Sequence, residues 1–122
     1  LLGQDCDGLV VIGTGSGNYS QAWRQKLDAL AEQGVVVVRS SRVSNSIVFD
    51  EPIFDPHDHF IGVNTLTSYK ARILLMLCLT QTNDIAAIRQ IFLNINLLKS
   101  DPYLHLGVAF YFYSLYIMLS CH

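Results

Sequence analysis

The stretch Gly8-Leu9-Val10-Val11-Ile12-Gly13-Thr14-Gly15-Ser16-Gly17-Asn18-Tyr19-Ser20 runs from an apolar segment into a glycine-rich turn and then into the start of a helix. Leu9, Val10, Val11 and Ile12 show no polar alternation, which predicts a strand covered on both faces, because a half-exposed strand alternates polar and apolar residues. Gly13, Gly15 and Gly17 allow positive φ and the close approach of another backbone or a ligand. A turn of this kind at the carboxyl end of a parallel strand is where open α/β sheets bind their ligands, so the candidate site is placed there.

Outward from this stretch, residues 20–33 carry Trp23, Leu27, Leu30 and Ala31 at the spacing of an amphipathic helix, closed by Gly34. Val35-Val36-Val37-Val38 then reads as a second strand. Strand, helix and strand make a βαβ unit, which predicts parallel pairing and a right-handed crossover. The fold class expected is α/β, a small parallel β-sheet with flanking helices. Arg39-Ser40-Ser41-Arg42 is expected to end the second strand and to hydrogen-bond beside the glycine turn. Residues 44–60 read as a long loop with Pro52 and Pro56 and the acids Asp50, Glu51, Asp55 and Asp58, long enough to suggest a lid or clamp. Thr67 is expected to cap a helix through Thr82, with Ala71, Leu74, Leu75, Cys78 and Leu79 apolar on most sides and hence buried, and Lys70 and Arg72 outside. Asn83 is expected to cap a further helix with Ile85, Ile88 and Phe92 on one face. Leu1-Leu2-Gly3 looks like the last turn of a helix stopped by glycine, so the chain is expected to start mid-structure.

Composition narrows the function classes. The 122 residues are 51% apolar with a net charge of −2, enough for one domain with a core. The basic residues are scattered singly, which argues against a nucleic-acid partner. Cys6, Cys78 and Cys121 are odd in number and irregular in spacing, so they offer neither a disulfide framework nor a paired CxxC site. No charged leader precedes an apolar stretch. Residues 102–122 contain no Lys, Arg, Asp or Glu, and residues 104–119 approach the length of a membrane span of about 20 residues. His105, Ser114 and Ser120 and the lack of basic flanks beyond Lys99 weigh against a span. An extra buried element or a non-native extension of the reading frame are the other readings of this segment.

Chemistry-bearing patterns are sparse. Gly13-Thr14-Gly15-Ser16-Gly17 invites a nucleotide-binding reading, but Asn18 stands where a third glycine belongs, and Arg39 stands where an acid does. Asp55-Pro56-His57-Asp58-His59 suggests a metal, yet alternate residues of a loop rarely close a site without a second His/Cys cluster, so no metal is expected there. Ser16, Ser40 and Ser41 lack a neighbouring His in the βαβ unit with which to form a nucleophile and base.

GLVVIGTGSGN at residues 8–18, VVVVRSSRV at 35–43, TLTSYKARILLMLCLTQT at 65–82 and the IxxIF ending at Phe92 together resemble the C-terminal domain of bacterial type II L-asparaginases, the asparaginase/glutaminase family. The resemblance covers residues 1–92 and leaves 93–122 as an apolar extension without counterpart. It implies a flavodoxin-like or Rossmann-like domain, truncated at its N-terminus. It also implies amide hydrolysis by a threonine nucleophile through an acyl-enzyme, without a cofactor, in a homotetramer built from intimate dimers and located in the periplasm or secreted. The nucleophile and its activating groups belong to the family's N-terminal domain, so no catalytic residue is expected in this chain, which would be inactive alone. The residues that carry over are substrate-binding ones. Asn18 at the turn and an acid of the long loop, Glu51, would hold the α-amino end of L-asparagine or L-glutamine in the neighbouring subunit's site. The family position falls nearer Pro52 when counted back from Thr65, so a one-residue length change is assumed, with Asp50 and Asp55 as alternative acids. Ser68-Tyr69 departs from the Pro-containing pair that usually opens the next helix. A non-catalytic remnant and a nucleotide-binding βαβ domain are the alternatives.

Overall fold

A computed structural model of the chain describes residues 5–53 and 55–99. The elements run β1 (Gly8–Gly13), α1 (Gln21–Glu32), β2 (Val36–Ser41), β3 (Phe60–Gly62), α2 (Ser68–Leu79) and α3 (Ile85–Lys99). The strands form one parallel sheet in the order β1-β2-β3, with Gly8 opposite Val36, Gly13 opposite Ser41, and Val37 opposite Phe60. The α/β class and the parallel βαβ unit expected from the sequence are therefore present.

Alternation along β2 divides the interior into two layers, because successive side chains of a strand point to opposite faces. Val36 and Val38 join Ile61, Leu74, Leu75, Cys78, Ile88 and Phe92 on the side of α2 and α3. Val37 points the other way, onto Leu27 of α1 and Phe60. The strand covered on both faces is thus β2. β1, expected to be interior, is the edge strand of the described sheet and is only partly buried, with Ile12 47% exposed, because it has a strand neighbour on one side alone.

Local signals explain the helix ends. Ser20 Oγ accepts from the Trp23 amide at 3.4 Å and opens α1, while Gly34, at φ 94°, follows its end. Trp23, expected on the buried face, is 51% exposed. Thr67 stands at the N-cap of α2 but its side chain makes no capping bond. Only Ala71, Leu74, Leu75 and Cys78 of α2 are buried, so this helix is not buried on most sides. Tyr69, Ile73, Met76 and Leu77 form an exposed apolar stripe. α3 is capped by Asp84 rather than Asn83, its carboxylate accepting from the amides of Ala86 and Ala87 at 3.4 and 3.3 Å.

β3 begins at Phe60, the last residue of the segment read as loop, and at three residues it is too short to show a period. The rest of that segment is anchored by Val48, which pairs with Asn64 in an antiparallel bridge and is 1% exposed. α3 continues unbroken past Phe92 to Lys99, with Ile95 in the core. Asn96 is buried as well: its amide donates to the carbonyls of Val63 and Phe92 at 3.2 and 2.7 Å. Its Oδ1 accepts from the Thr65 amide and hydroxyl at 3.3 and 3.0 Å. Among the described residues no helix is long and apolar enough to cross a membrane. The segment 104–119 considered as a span lies outside them.

Candidate functional site

The glycine turn folds back on itself. Thr14 N donates to Asn18 O at 3.0 Å, and the amides of Gly17 and Asn18 donate to Thr14 O at 3.0 and 2.8 Å. A Cβ on Gly13 would lie 2.5 Å from the Gly17 carbonyl carbon, so glycine there is what lets the chain close this tightly. Gly17, at φ 83°, brings the turn against Val48 and the Ser40 carbonyl. The Ser41 hydroxyl donates to the Gly15 carbonyl and ties the turn to the end of β2, as the register of the two strands requires. The amides of Thr14, Gly17 and Asn18 are thus taken up inside the turn, which weighs against their cradling a phosphate. The Asn18 side chain projects from this turn and is exposed.

Arg39 and Ser40 lie in the last half of β2, which ends at Ser41, and are buried, 2% and 1% exposed. The Arg39 guanidinium sits 5.8 Å from the centre of the Tyr19 ring and donates to Phe49 O at 3.4 Å. Burial lowers the Arg39 pKa and raises that of the Tyr19 hydroxyl, each shift opposed by the charge of the other. Asn18, Tyr19, Arg24, Asp28, Arg39 and His57 line an open cavity of about 550 Å³ between the turn, α1 and the long loop.

The loop acids separate by environment. Asp55 is 5% exposed, and its Oδ2 accepts from the Phe60 amide at 2.7 Å at the start of β3. Asp50 Oδ2 lies 2.9 Å from Arg89 Nε, close enough for an ion pair though not aligned as a hydrogen bond. Burial raises the Asp50 pKa, and Arg89 opposes the shift. Asp58 Oδ1 is 2.9 Å from Arg89 Nη2. Glu51 is exposed, and among the described residues its carboxylate makes no hydrogen bond or ion pair; only its backbone carbonyl is used, accepting from the Asp55 amide at 3.1 Å. In the Asp55-to-His59 segment Asp55 is buried while Pro56, His57 and Asp58 are exposed. His59 Nδ1 faces Asp28 Oδ1 at 3.0 Å, His57 stacks on His59, and the carboxylates of Asp50, Asp55 and Asp58 come within 4.8 Å of one another around Arg89. Arg89 links Asp50 and Asp58 in this arrangement, while Asn96 ties Val63 and Thr65 to α3, and the sequence alone offered no signal for either. The hydroxyls of Thr14, Ser41, Ser46 and Thr80 donate to backbone carbonyls.

Residues 1–92 match the family described as the Glutaminase/Asparaginase C-terminal domain. The chain belongs to this family. It is 42% identical over 93 residues to a probable periplasmic L-asparaginase of Haemophilus influenzae, covering 75% of this chain and 27% of that protein. It is also 42% identical over 93 residues to L-asparaginase 2 of Escherichia coli, with the same shares covered. A glutaminase-asparaginase of Acinetobacter glutaminasificans is 38% identical over 92 residues, covering 70% of this chain and 27% of that one. The solved structure of a probable cytoplasmic L-asparaginase from Campylobacter jejuni superposes with a TM-score of 0.65 at 38% identity, covering 71% of this chain and 26% of that one. The asparaginase-family chain described here thus spans about a quarter of the length of these relatives.

Proposed function

We propose that this chain is the substrate-positioning part of an asparaginase-type amidohydrolase, which converts L-asparagine, or L-glutamine, to the acid and ammonia. Asn18 and Glu51 hold the substrate's α-ammonium group in a site completed by a neighbouring subunit of a homo-oligomer. The nucleophile lies outside this chain, so the chain has no turnover alone. Residues 1–92 make up the family unit, and residues 93–122 are an extension of it.

The observation that carries this reading is the availability of the loop acids. Asp50 is committed to Arg89, and Asp55 is buried against the Phe60 amide. Glu51 alone of the three is exposed with no side-chain partner among the described residues. A carboxylate free of internal partners is the group that accepts a charge-assisted bond from an ammonium, and positioning of that kind is where much catalytic advantage arises. The stripe of Tyr69, Ile73, Met76 and Leu77 on α2 supports an assembly, since apolar patches of this sort mark protein interfaces.

Kinetics and melting of Asn18→Ala and Glu51→Ala in the full-length enzyme carrying this domain test the proposal. Both variants should lower kcat/KM and leave Tm nearly unchanged, because both side chains are exposed and have no apolar role. The loss at Glu51 should be larger, about 1.5–3 kcal/mol for a bond to a charged group against about 0.5–1.5 kcal/mol for a neutral one. A large fall in Tm for Asn18→Ala would instead make it a residue that holds the turn.

A further inference from the structure

We infer that Arg89 is a positioning residue that clamps both ends of the segment carrying Glu51, an inference that rests on the proposed role of Glu51. From α3 its guanidinium reaches Asp50 Oδ2 at 2.9 Å, immediately before Glu51. It also reaches the far end of the segment, contacting Asp58 Oδ1 at 2.9 Å and Oδ2 at 3.2 Å, and donating to the carbonyls of Asp58 and Phe60 at 3.4 and 3.0 Å. One planar fork therefore holds residue 50, residue 58 and the first residue of β3 together, a geometry that lysine's single ammonium does not reproduce.

Exposed ion pairs contribute little, but the Arg89 side chain is only 20% exposed and bonds to backbone as well as carboxylate. Asp50, Asp55 and Asp58 face one another within 4.8 Å, and without the guanidinium between them they would repel and open the segment. Between the two clamped ends the chain turns through two backbone bonds, Asp55 N to Glu51 O and Asp58 N to Asp55 O, each 3.1 Å. The first of these fixes the backbone of Glu51 itself. Glu51 then stands on a tethered turn with its carboxylate free, and substrate binding need not order the loop first.

Amide hydrogen exchange on the chain tests the clamp. Arg89→Ala, and separately Asp50→Asn/Asp58→Asn, should speed exchange of the Asp55 and Asp58 amides about tenfold, the change expected on losing a charge-assisted bond. Protection of the Val63 amide, which bonds to Arg39 O, should stay unchanged. Arg89→Lys should fall between wild type and Arg89→Ala. If Arg89→Ala unfolds the chain, the asparagine pair decides, since it breaks the clamp from the loop side and leaves α3 intact. Unchanged exchange at Asp55 and Asp58 in that pair would overturn the inference.

Kinetics in the full-length enzyme separate this claim from the one it rests on. Arg89→Ala should raise KM more than it lowers kcat, and should add nothing to a Glu51→Ala variant. Faster exchange with a kinetically silent Glu51→Ala would leave the clamp standing and remove the role of Glu51. A KM effect at Glu51 with none at Arg89, and unchanged exchange, would do the reverse.

Discussion

Asp55 shows how one buried carboxylate can shape the loop. Its Oδ2 satisfies the Phe60 amide where β3 begins, and at 5% exposure no water can take over that bond. Asp55→Ala should therefore cost about 1–3 kcal/mol by leaving a buried donor unpaired, read as a lower midpoint in urea at constant slope. Cys78 gives a pH dependence. Burial pushes its thiol from 9.0 up to about 11. Between those values the unfolded chain releases the proton and the folded chain keeps it, so stability present below pH 9 is lost as pH rises towards 11. Tyr19, raised by burial from 10.0, acts in the same direction, so Cys78→Ala should reduce the slope of stability against pH without abolishing it. Urea titrations across that range check both expectations. At this scale the sequence was read correctly where a residue's own geometry decides, as at Gly15 and Gly17 with φ of 53° and 83°. It was silent where a partner far along the chain decides: Arg39 lies in the strand-end stretch, and nothing local marks its burial against Tyr19.

Elements with a clear period were legible, and the others were not. α1, β2 and the parallel βαβ unit follow from the sequence pattern, and Leu27 and Val37 meet on one face of the sheet. β3 was hidden because Phe60, Ile61 and Gly62 are too short a run, set beside the polar Asp55-to-His59 segment. The burial of α2 was overestimated for the opposite reason: a helix apolar all round looks buried, whereas Ile73 and Met76 are 60% and 59% exposed. α3 extends seven residues beyond Phe92, and Ile95 and Asn96 close the core from that extension. A chain ending at residue 92 should accordingly melt lower than one ending at residue 99. Asn96→Ala in the longer chain should reproduce part of that loss, about 1–3 kcal/mol for the groups at Val63 and Thr65 left unpaired. Equal melting of the two chains would show that Asn96 contributes nothing net.

At the scale of the whole molecule, the sheet, the turn and the loop act as a frame that holds two exposed groups in place. The family was legible in the sequence because its motifs are local strings, and the same strings build the turn and β2. The choice among Asp50, Glu51 and Asp55 was not legible, since it depends on Arg89 and Phe60, which lie 38 and 9 positions from Glu51 respectively. In the proposed function Glu51 recognises the substrate's ammonium and nothing else. The most direct measurement compares L-asparagine with succinamic acid, which lacks the α-amino group, in the full-length enzyme with and without Glu51→Ala. Wild type should strongly prefer asparagine, and Glu51→Ala should lower kcat/KM for asparagine about tenfold or more while leaving succinamic acid unchanged. An equal loss on both substrates, or no loss on asparagine, would contradict this role.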